Sequence, residues 1–373
     1  MRNALISGAG VAGAATAYWL RRAGYAVTVV ERASGPRTGG QAVDVRGVAL
    51  EVMDRMGLGE RMRAARTTMR GMAMLDGAGV ELFRSEDHTF SSGRLDSEDV
   101  ELLREDLLAM LHEANANRVE YVFDDSISAL AQDEHGVRVE FERGGFRTFD
   151  LVIGADGMHS TVRRLAFGPE REFIRHLGMY LSIFPMPNIL GLDNWQVWFT
   201  DQASGAGGAV YPVRDNTELR VNLGFRSEPL TYDYQDTAQQ KRLIAEQLAG
   251  LGWEVPKLLA AMADAHVFYF DAMAQIQMDR WTTGRVALVG DAGYCASVMS
   301  GQGTSLALVG AYVLTQELGR PNTDHRAAFA AYEHRMRPFV TLNQALATEN
   351  PEGPAPEDSV NRAKNGIALD TNT

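Results

Sequence analysis

Three glycines near the start restrict this chain more than any other feature. Gly8, Gly10 and Gly13 stand at Gly-x-Gly-x-x-Gly spacing, with Ala12 inside the same turn. They lie between a short apolar run, Asn3 to Ser7, and an alanine-rich stretch, Ala14 to Ala23, that stops at Gly24. Tyr25 to Glu31 then reads as a β-branched second strand. In a strand-turn-helix-strand setting the first glycine permits the tight turn, the second lets a pyrophosphate approach the backbone, and the third lets helix and strand pack closely. Glu31 follows Gly13 by 18 residues, where an acid accepts hydrogen bonds from adenosine ribose hydroxyls. An acid there disfavours a 2′-phosphate, so the nucleotide held tightly is expected to be FAD or NAD rather than NADP.

Composition narrows the partners. With 36 Lys+Arg against 48 Asp+Glu the net charge is −12, which argues against nucleic acid and anionic membrane surfaces. Cys295 is the single cysteine of the 373 residues, so an internal disulfide and a thiolate-rich metal site are excluded, and a reducing, cytoplasmic compartment is expected. Ala4 to Leu20 is uncharged, but its glycines and the following Arg21-Arg22 fit the turn and helix better than a leader. Ala292 to Gln316 is also uncharged, yet Gly293, Ser297, Ser300, Gly301, Gln302 and Gly303 interrupt it. It reads as a loop followed by a buried helix, with no membrane partner.

Further along, Pro36 to Arg46 is glycine-rich and carries Arg37, Gly39, Gly40, Asp44 and Arg46, ahead of a helix over Val48 to Met56. A helix is expected at Glu98 to Ala114, bearing Arg104. Strands are expected at Val119 to Val122, Ile127 to Gln132, Val137 to Arg143 and Phe146 to Ile153. The last runs into Gly154-Ala155-Asp156-Gly157, which places Asp156 at the carboxyl edge of a parallel sheet, where ligands bind. Alternating runs at Trp195 to Phe199, Ala209 to Val213 and Leu219 to Phe225 suggest an inserted antiparallel sheet. Helices then follow at Gln235 to Leu251 and Val255 to Ala263, and a strand at Val267 to Met278. Arg285 to Val289 returns to a buried-strand pattern ending in Gly290-Asp291. Gly301-Gln302-Gly303-Thr304 opens a long helix through Leu318, a further helix spans His325 to Thr348, and the polar, proline-bearing stretch from Asn350 reads as a flexible tail.

The ordered trio of Gly8-x-Gly10-x-x-Gly13, Asp156-Gly157 with Ser160 and Arg163, and Gly290-Asp291 with Gly301-Gln302-Gly303 resembles the group A FAD-dependent monooxygenases of the para-hydroxybenzoate hydroxylase type. The resemblance runs to about residue 345, and Arg37 to Asp44 with Arg104 look most like the tetracycline-inactivating branch. It implies an α/β fold: a Rossmann-like FAD-binding domain of the glutathione reductase type (residues 1–70, 97–168 and 280–320) and an inserted antiparallel-sheet substrate domain (71–96 and 169–279). A C-terminal helix (321–349) and the tail (350–373) complete it. It further implies that Glu31 holds the adenosine ribose and Arg32 lies by the adenine, while Arg37, Asp44 and Arg104 contact FAD. Asp156 takes part in FAD and NAD(P)H handling, Asp291 binds a hydroxyl between flavin and pyrophosphate, and Gly301, Gly303 and Thr304 approach the isoalloxazine. A helix N-terminus at Gly303 carries roughly half a positive charge, which favours anionic reduced flavin.

The implied activity is hydroxylation of an aromatic or polyketide-like molecule by NAD(P)H and O2 through a flavin hydroperoxide, in antibiotic or other natural-product metabolism, by a monomer or weak homodimer. No catalytic side chain is then required, since the cofactor carries the chemistry. Substrate contacts are expected at Tyr211, Asn222, Tyr294 and Met299. Ala296 and Val298 stand where related sequences often have proline, which leaves that loop more backbone freedom. A second reading keeps the FAD fold for a non-redox cyclisation or for ligand binding alone. There is no second glycine fingerprint and no Cys-x-x-Cys, which argues against a disulfide reductase. The spacing of Trp195 and Trp198 does not suit a flavin halogenase.

Overall fold

The structure, a computed structural model, describes residues 2–36, 39–234, 236–350 and 353–369. Strand Asn3–Ser7, whose Ala4, Leu5 and Ile6 are fully buried, occupies an inner position of a six-stranded sheet. It pairs in parallel with Ala26–Glu31 on one side and Leu151–Gly154 on the other. Glu120–Phe123 and Val286–Leu288 extend the parallel sheet outward, and Thr282–Thr283 adds an antiparallel edge. Continuous apolar strands are what such a sheet requires, because both faces are covered: Ile127, Val137, Val139 and Phe149 of a three-stranded sheet share its core with the helices. Helices Val11–Arg22 and Gly303–Gly319 pack together beside it, the second buried on nearly every side.

A seven-stranded sheet forms the second layer, in the spatial order Tyr269–Ile276, Ile174–Pro187, Glu218–Arg226, Ala206–Val213, Trp195–Asp201, Gly71–Asp76, Glu81–Ser85. It is antiparallel except for one pair, Trp195–Asp201 with Gly71–Asp76, which runs parallel. Its strands alternate sharply. Phe184, Val197, Phe199, Val210, Leu219, Val221, Leu223 and Phe270 face a core shared with helices Thr237–Leu248 and Val255–Asp264. The alternate residues, Gln196, Trp198, Tyr211, Arg220 and Asn222, therefore point the other way, toward the six-stranded unit.

Several sequence expectations are corrected. Glu98 to Ala114 is not one helix: Val100–Leu103 is a strand paired with Ala42–Val45, and the helix is Arg104–Asn115. Phe146 to Ile153 divides between two sheets, Phe146–Phe149 joining a three-stranded sheet and Leu151–Gly154 the parallel one. The division falls at Asp150, which exchanges backbone and side-chain hydrogen bonds with Asn3 at 2.6 and 2.7 Å. The longest strand, Ile174–Pro187, carried no clear signal because Gly178, Pro185 and Pro187 interrupt it. Its outer neighbour pairs only as far as Ile183, so both prolines lie where no N–H is needed on that side.

The tail is also corrected. Glu357–Lys364 is a helix, and Ala363 and Leu369 are buried. Lys364 Nζ pairs with Asp99 at 2.7 Å, Asn343 Nδ2 donates to the Ala363 carbonyl at 3.0 Å, and Ser359 Oγ donates to Glu349 at 2.6 Å. Its polar composition reflects an amphipathic helix lying on the protein surface. A chain ending at Asn350 is expected to melt several degrees lower, given roughly 2–4 °C per kcal/mol in larger domains. Thermal unfolding followed by circular dichroism checks this, and an unchanged Tm would refute it.

Candidate functional site

The three glycines occupy three different environments. Gly8 has φ 101°, and a Cβ there would sit 2.5 Å from the Ala155 carbonyl oxygen. A Cβ on Gly13 would overlap the Gly8 carbonyl oxygen, whereas one on Gly10 would meet no protein atom within 4 Å. Gly8 and Gly13 thus permit close packing, and Gly10 leaves open space at the start of helix Val11–Arg22. Glu31 stands at the same turn, its carboxylate accepting the Ala9 N–H at 2.8 Å and the Ala33 N–H at 2.9 Å. Arg32 reaches Thr161 Oγ1 at 3.3 Å.

Asp156 follows the neighbouring strand and is half-buried, and desolvation raises its pKa against the hydrogen bonds it accepts from Ser160, Ser7 and the Val162 N–H. Those bonds cap the turn into helix Thr161–Ala166, so its carboxylate is satisfied from within the protein. Arg104 donates to the Gly39 carbonyl at 3.3 Å and lies against Gly40. Arg37 falls outside the described residues.

A second group gathers around Gly301-Gln302-Gly303. Gly301 is left-handed (φ 64°), and a Cβ on it would meet the Arg46 guanidinium at 3.4 Å. Arg46 pairs with Asp44 at 3.0 Å and donates from Nη2 to the Ser91 carbonyl at 2.6 Å. Burial pushes the Asp44 carboxyl up to about 7 against the opposing pull of Arg46. Asp44 Oδ1, Arg46 Nε and both polar atoms of the Gln302 amide are buried with no hydrogen-bond partner among the described residues. Helix Gly303–Gly319 has no side-chain cap at its N-terminus, where Thr304 is its second residue. Asp291 Oδ1 lies 3.9 Å from the position of a Cβ on Gly303. It is solvent-accessible, yet set deeply enough that burial raises its carboxyl.

These features fit a dinucleotide with a polar heterocycle: open space at Gly10, an uncapped helix N-terminus, and buried donors and acceptors awaiting partners. Gly10, Glu31, Asp291 and the Gly303–Thr304 backbone are the groups that would hold it. Gln302 was absent from the expected contacts, because a glutamine between two glycines carries no distinct chemical signal.

The expected substrate residues separate. Tyr211 and Asn222 face the inner side of the large sheet, and the Tyr211 hydroxyl accepts the Ala42 N–H at 2.9 Å. Met299 is exposed on its loop. Tyr294 is corrected: it is 1% exposed, shares a hydrogen bond with Tyr332 at 2.9 Å, and packs on Trp281 and Gly310. It pins the loop from behind. The loop without prolines is likewise held, through Gln275 to the Ala296 carbonyl and Gln344 to the Cys295 carbonyl.

One polar cluster joins the two units. His159 lies 3.0 Å from Glu170 Oε1 and 3.0 Å from Asp271 Oδ2, and Glu170 also pairs with the buried Arg163 at 2.8 Å. Burial opposes charge on His159, but its bonds to Asp271 and Glu170 prevail and raise its pKa to about 9.

A parallel sheet with a glycine turn at its edge, facing the inner side of the seven-stranded sheet across such a site, is the arrangement of an FAD-dependent flavoprotein. The chain belongs to the group A flavin-dependent monooxygenases: residues 1–346 match the family model described as FAD binding domain. It is 50% identical over 371 residues, 99% of each chain, to an uncharacterised protein of Mycobacterium tuberculosis. A flavin-dependent monooxygenase from an unknown prokaryotic organism is 41% identical over 345 residues, 92% of this chain and 88% of the other. The crystal structure of tetracycline destructase Tet(51) superposes with a TM-score of 0.87 at 34% identity, covering 100% of both chains.

Two predictions follow from this geometry. Gly10→Ala is expected to keep the apo-protein Tm while weakening FAD binding, whereas Gly13→Ala lowers Tm or prevents folding. FAD titration and melting curves on both variants distinguish these outcomes. His159 is raised from an ordinary 6.5 to about 9, so the fold favours its charged form. That contribution is complete below about pH 6.5, declines as pH rises and is gone above about 9. The Tm advantage over His159→Gln should shrink across that window, and an advantage independent of pH would refute the assignment.

Proposed function

We propose that this FAD-dependent monooxygenase uses NAD(P)H and O2 to hydroxylate a hydroxyl-bearing aromatic or polyketide-like small molecule in the cytoplasm. The observation that carries the reading is the inner face of the seven-stranded sheet. Trp198 Nε1 donates to Gln196 Oε1 at 3.1 Å, and Gln196 Nε2 donates to Ser91 Oγ at 2.7 Å. Ser91 in turn receives Arg46, beside Gly301. An aromatic and polar wall is thus tied directly to the cofactor site, a composition suited to a flat, oxygenated ligand. The likeness to tetracycline destructases supports a polycyclic ligand of that kind, and the single cysteine supports a reducing compartment.

When bound, FAD supplies hydride acceptance from a nicotinamide and activation of O2, one atom of which goes to substrate and the other to water. The protein's own work is binding and exclusion. The Gly303–Gly319 helix N-terminus favours negative charge on the heterocycle, and Asp291 and Glu31 provide hydrogen-bond acceptors for its hydroxyls. The packed loop, held by Tyr294 and Gln275, limits entry of water beside the reacting atoms.

NADH and NADPH oxidation, measured with and without tetracycline or a polyhydroxylated anthraquinone and followed by mass spectrometry, tests this. Substrate-stimulated oxidation and product mass greater by one oxygen are expected. An isomeric product formed without NAD(P)H would instead establish a non-redox reaction on the same fold.

A further inference from the structure

The register of the large sheet builds a continuous row across its inner face. Trp198 pairs with Ala209, Ala209 with Asn222, Asn222 with Ile183, and Ile183 with Tyr269. Phe268, Phe270 and Ala272 pack into the core beneath the helices, so alternation turns Tyr269 and Asp271 toward the FAD-binding unit. Asp271 confirms the direction by reaching His159 there. Tyr269 therefore ends the same row that begins at Trp198 and contains Asn222.

Tyr269 is 45% exposed. Desolvation of its hydroxyl, with the adjacent Asp271 carboxylate adding, raises that hydroxyl well above the ordinary tyrosine range. The exposed surface of the side chain lies on the inner face of the sheet, because the opposite face is taken up by Phe270 and Ala272 in the core. That inner face is the side on which Asp271 reaches His159 of the FAD-binding unit, so the exposed ring borders the cleft between the two units.

The chemistry Tyr269 offers that cleft is set by its neighbours. Its hydroxyl donates to Asp271 Oδ2 at 3.3 Å. Asp271 Oδ1 accepts the Ala272 N–H at 2.8 Å, and both carboxylate oxygens face His159 Nε2, at 3.2 and 3.0 Å. His159 Nδ1 meets Glu170, whose second oxygen holds Arg163. A protonated His159 donates from both ring nitrogens and keeps both carboxylates as acceptors. Tyr269 has one proton and gives it to Asp271, so only oxygen lone pairs remain for a ligand.

We propose that Tyr269 is a specificity-determining residue of this active site, accepting a hydrogen bond from a phenolic or enolic hydroxyl of the substrate, with Asp271 and His159 as positioning residues. The assignment rests on the substrate class proposed above and names the group on the substrate that is recognised. A methyl ether at that position cannot donate and leaves the tyrosine oxygen unpaired.

The test uses FAD-loaded protein and two probe pairs, alizarin with its dimethyl ether and emodin with its trimethyl ether, titrated by tryptophan fluorescence. The wild-type protein should bind each phenol roughly three- to tenfold more tightly than its ether, the range of one net hydrogen bond. Tyr269→Phe should raise the phenol Kd to that of the ether while leaving ether Kd and FAD content unchanged. His159→Gln should narrow the preference without abolishing it. A merely structural tyrosine would, when replaced, weaken phenol and ether alike. That result, or a preference that survives Tyr269→Phe, overturns this assignment alone. Failure of the wild-type protein to bind any probe overturns the substrate class and this assignment with it, and the NAD(P)H oxidation assay reports separately on the reaction.

Discussion

Everything at the cofactor site depends on how closely two backbones approach beneath the glycine turn. Gly8 meets the Ala155 carbonyl and Gly13 meets Gly8 at distances that exclude any Cβ. The helix Val11–Arg22 is thereby drawn down onto strands Asn3–Ser7 and Leu151–Gly154, and its N-terminus opens at the sheet edge. Strands Ala26–Glu31 and Val286–Leu288 run parallel to these and end at the same edge. Residues 8–13, 31–32, 155–157 and 290–291 converge there for that reason alone. A larger residue at Gly13 would separate helix from strand and disperse all four segments.

The second constraint is charge buried at the seam between the sheets. Arg220 is 2% exposed and donates to the Gly40 carbonyl at 2.7 Å while pairing with Glu105 at 3.0 Å. Arg214 adds ion pairs to Glu105 and Asp106. At the other end His159 bridges Asp271 and Glu170. Desolvating a buried ion such as Arg220 costs several kcal/mol, and it is tolerated only where several hydrogen bonds satisfy the group. These pairs are directional, so they set where the inner face of the large sheet stands relative to the glycine-rich segment, as apolar packing alone would not.

Much of the site was legible because its chemistry depends on backbone. Gly8, Gly10 and Gly13 mark a turn through their lack of side chains, Glu31 lies a fixed distance along the chain, and Gly301 and Gly303 bracket a helix start. Side-chain contacts between distant elements left no comparable trace. Tyr294 sits next to the expected cofactor residues in sequence, yet its ring is turned into the core by Tyr332 and Trp281. Tyr269 lies in an unremarkable strand, and its position follows from pairing with Ile183, 86 residues away in the chain (269 − 183). The tail helix was missed because its polar composition resembles a solvated segment, and the contacts that hold it come from Asp99 and Asn343.

The sequence by itself determined the parallel nucleotide-binding sheet, the inserted second sheet and the helix opening at Gly303, since each follows from local periodicity and from glycines only one geometry explains. Tertiary structure alone decided which side chains face the cleft. Strand register and inter-sheet ion pairs join residues far apart in the chain, and a shift of one residue would turn every side chain of a strand to the opposite face.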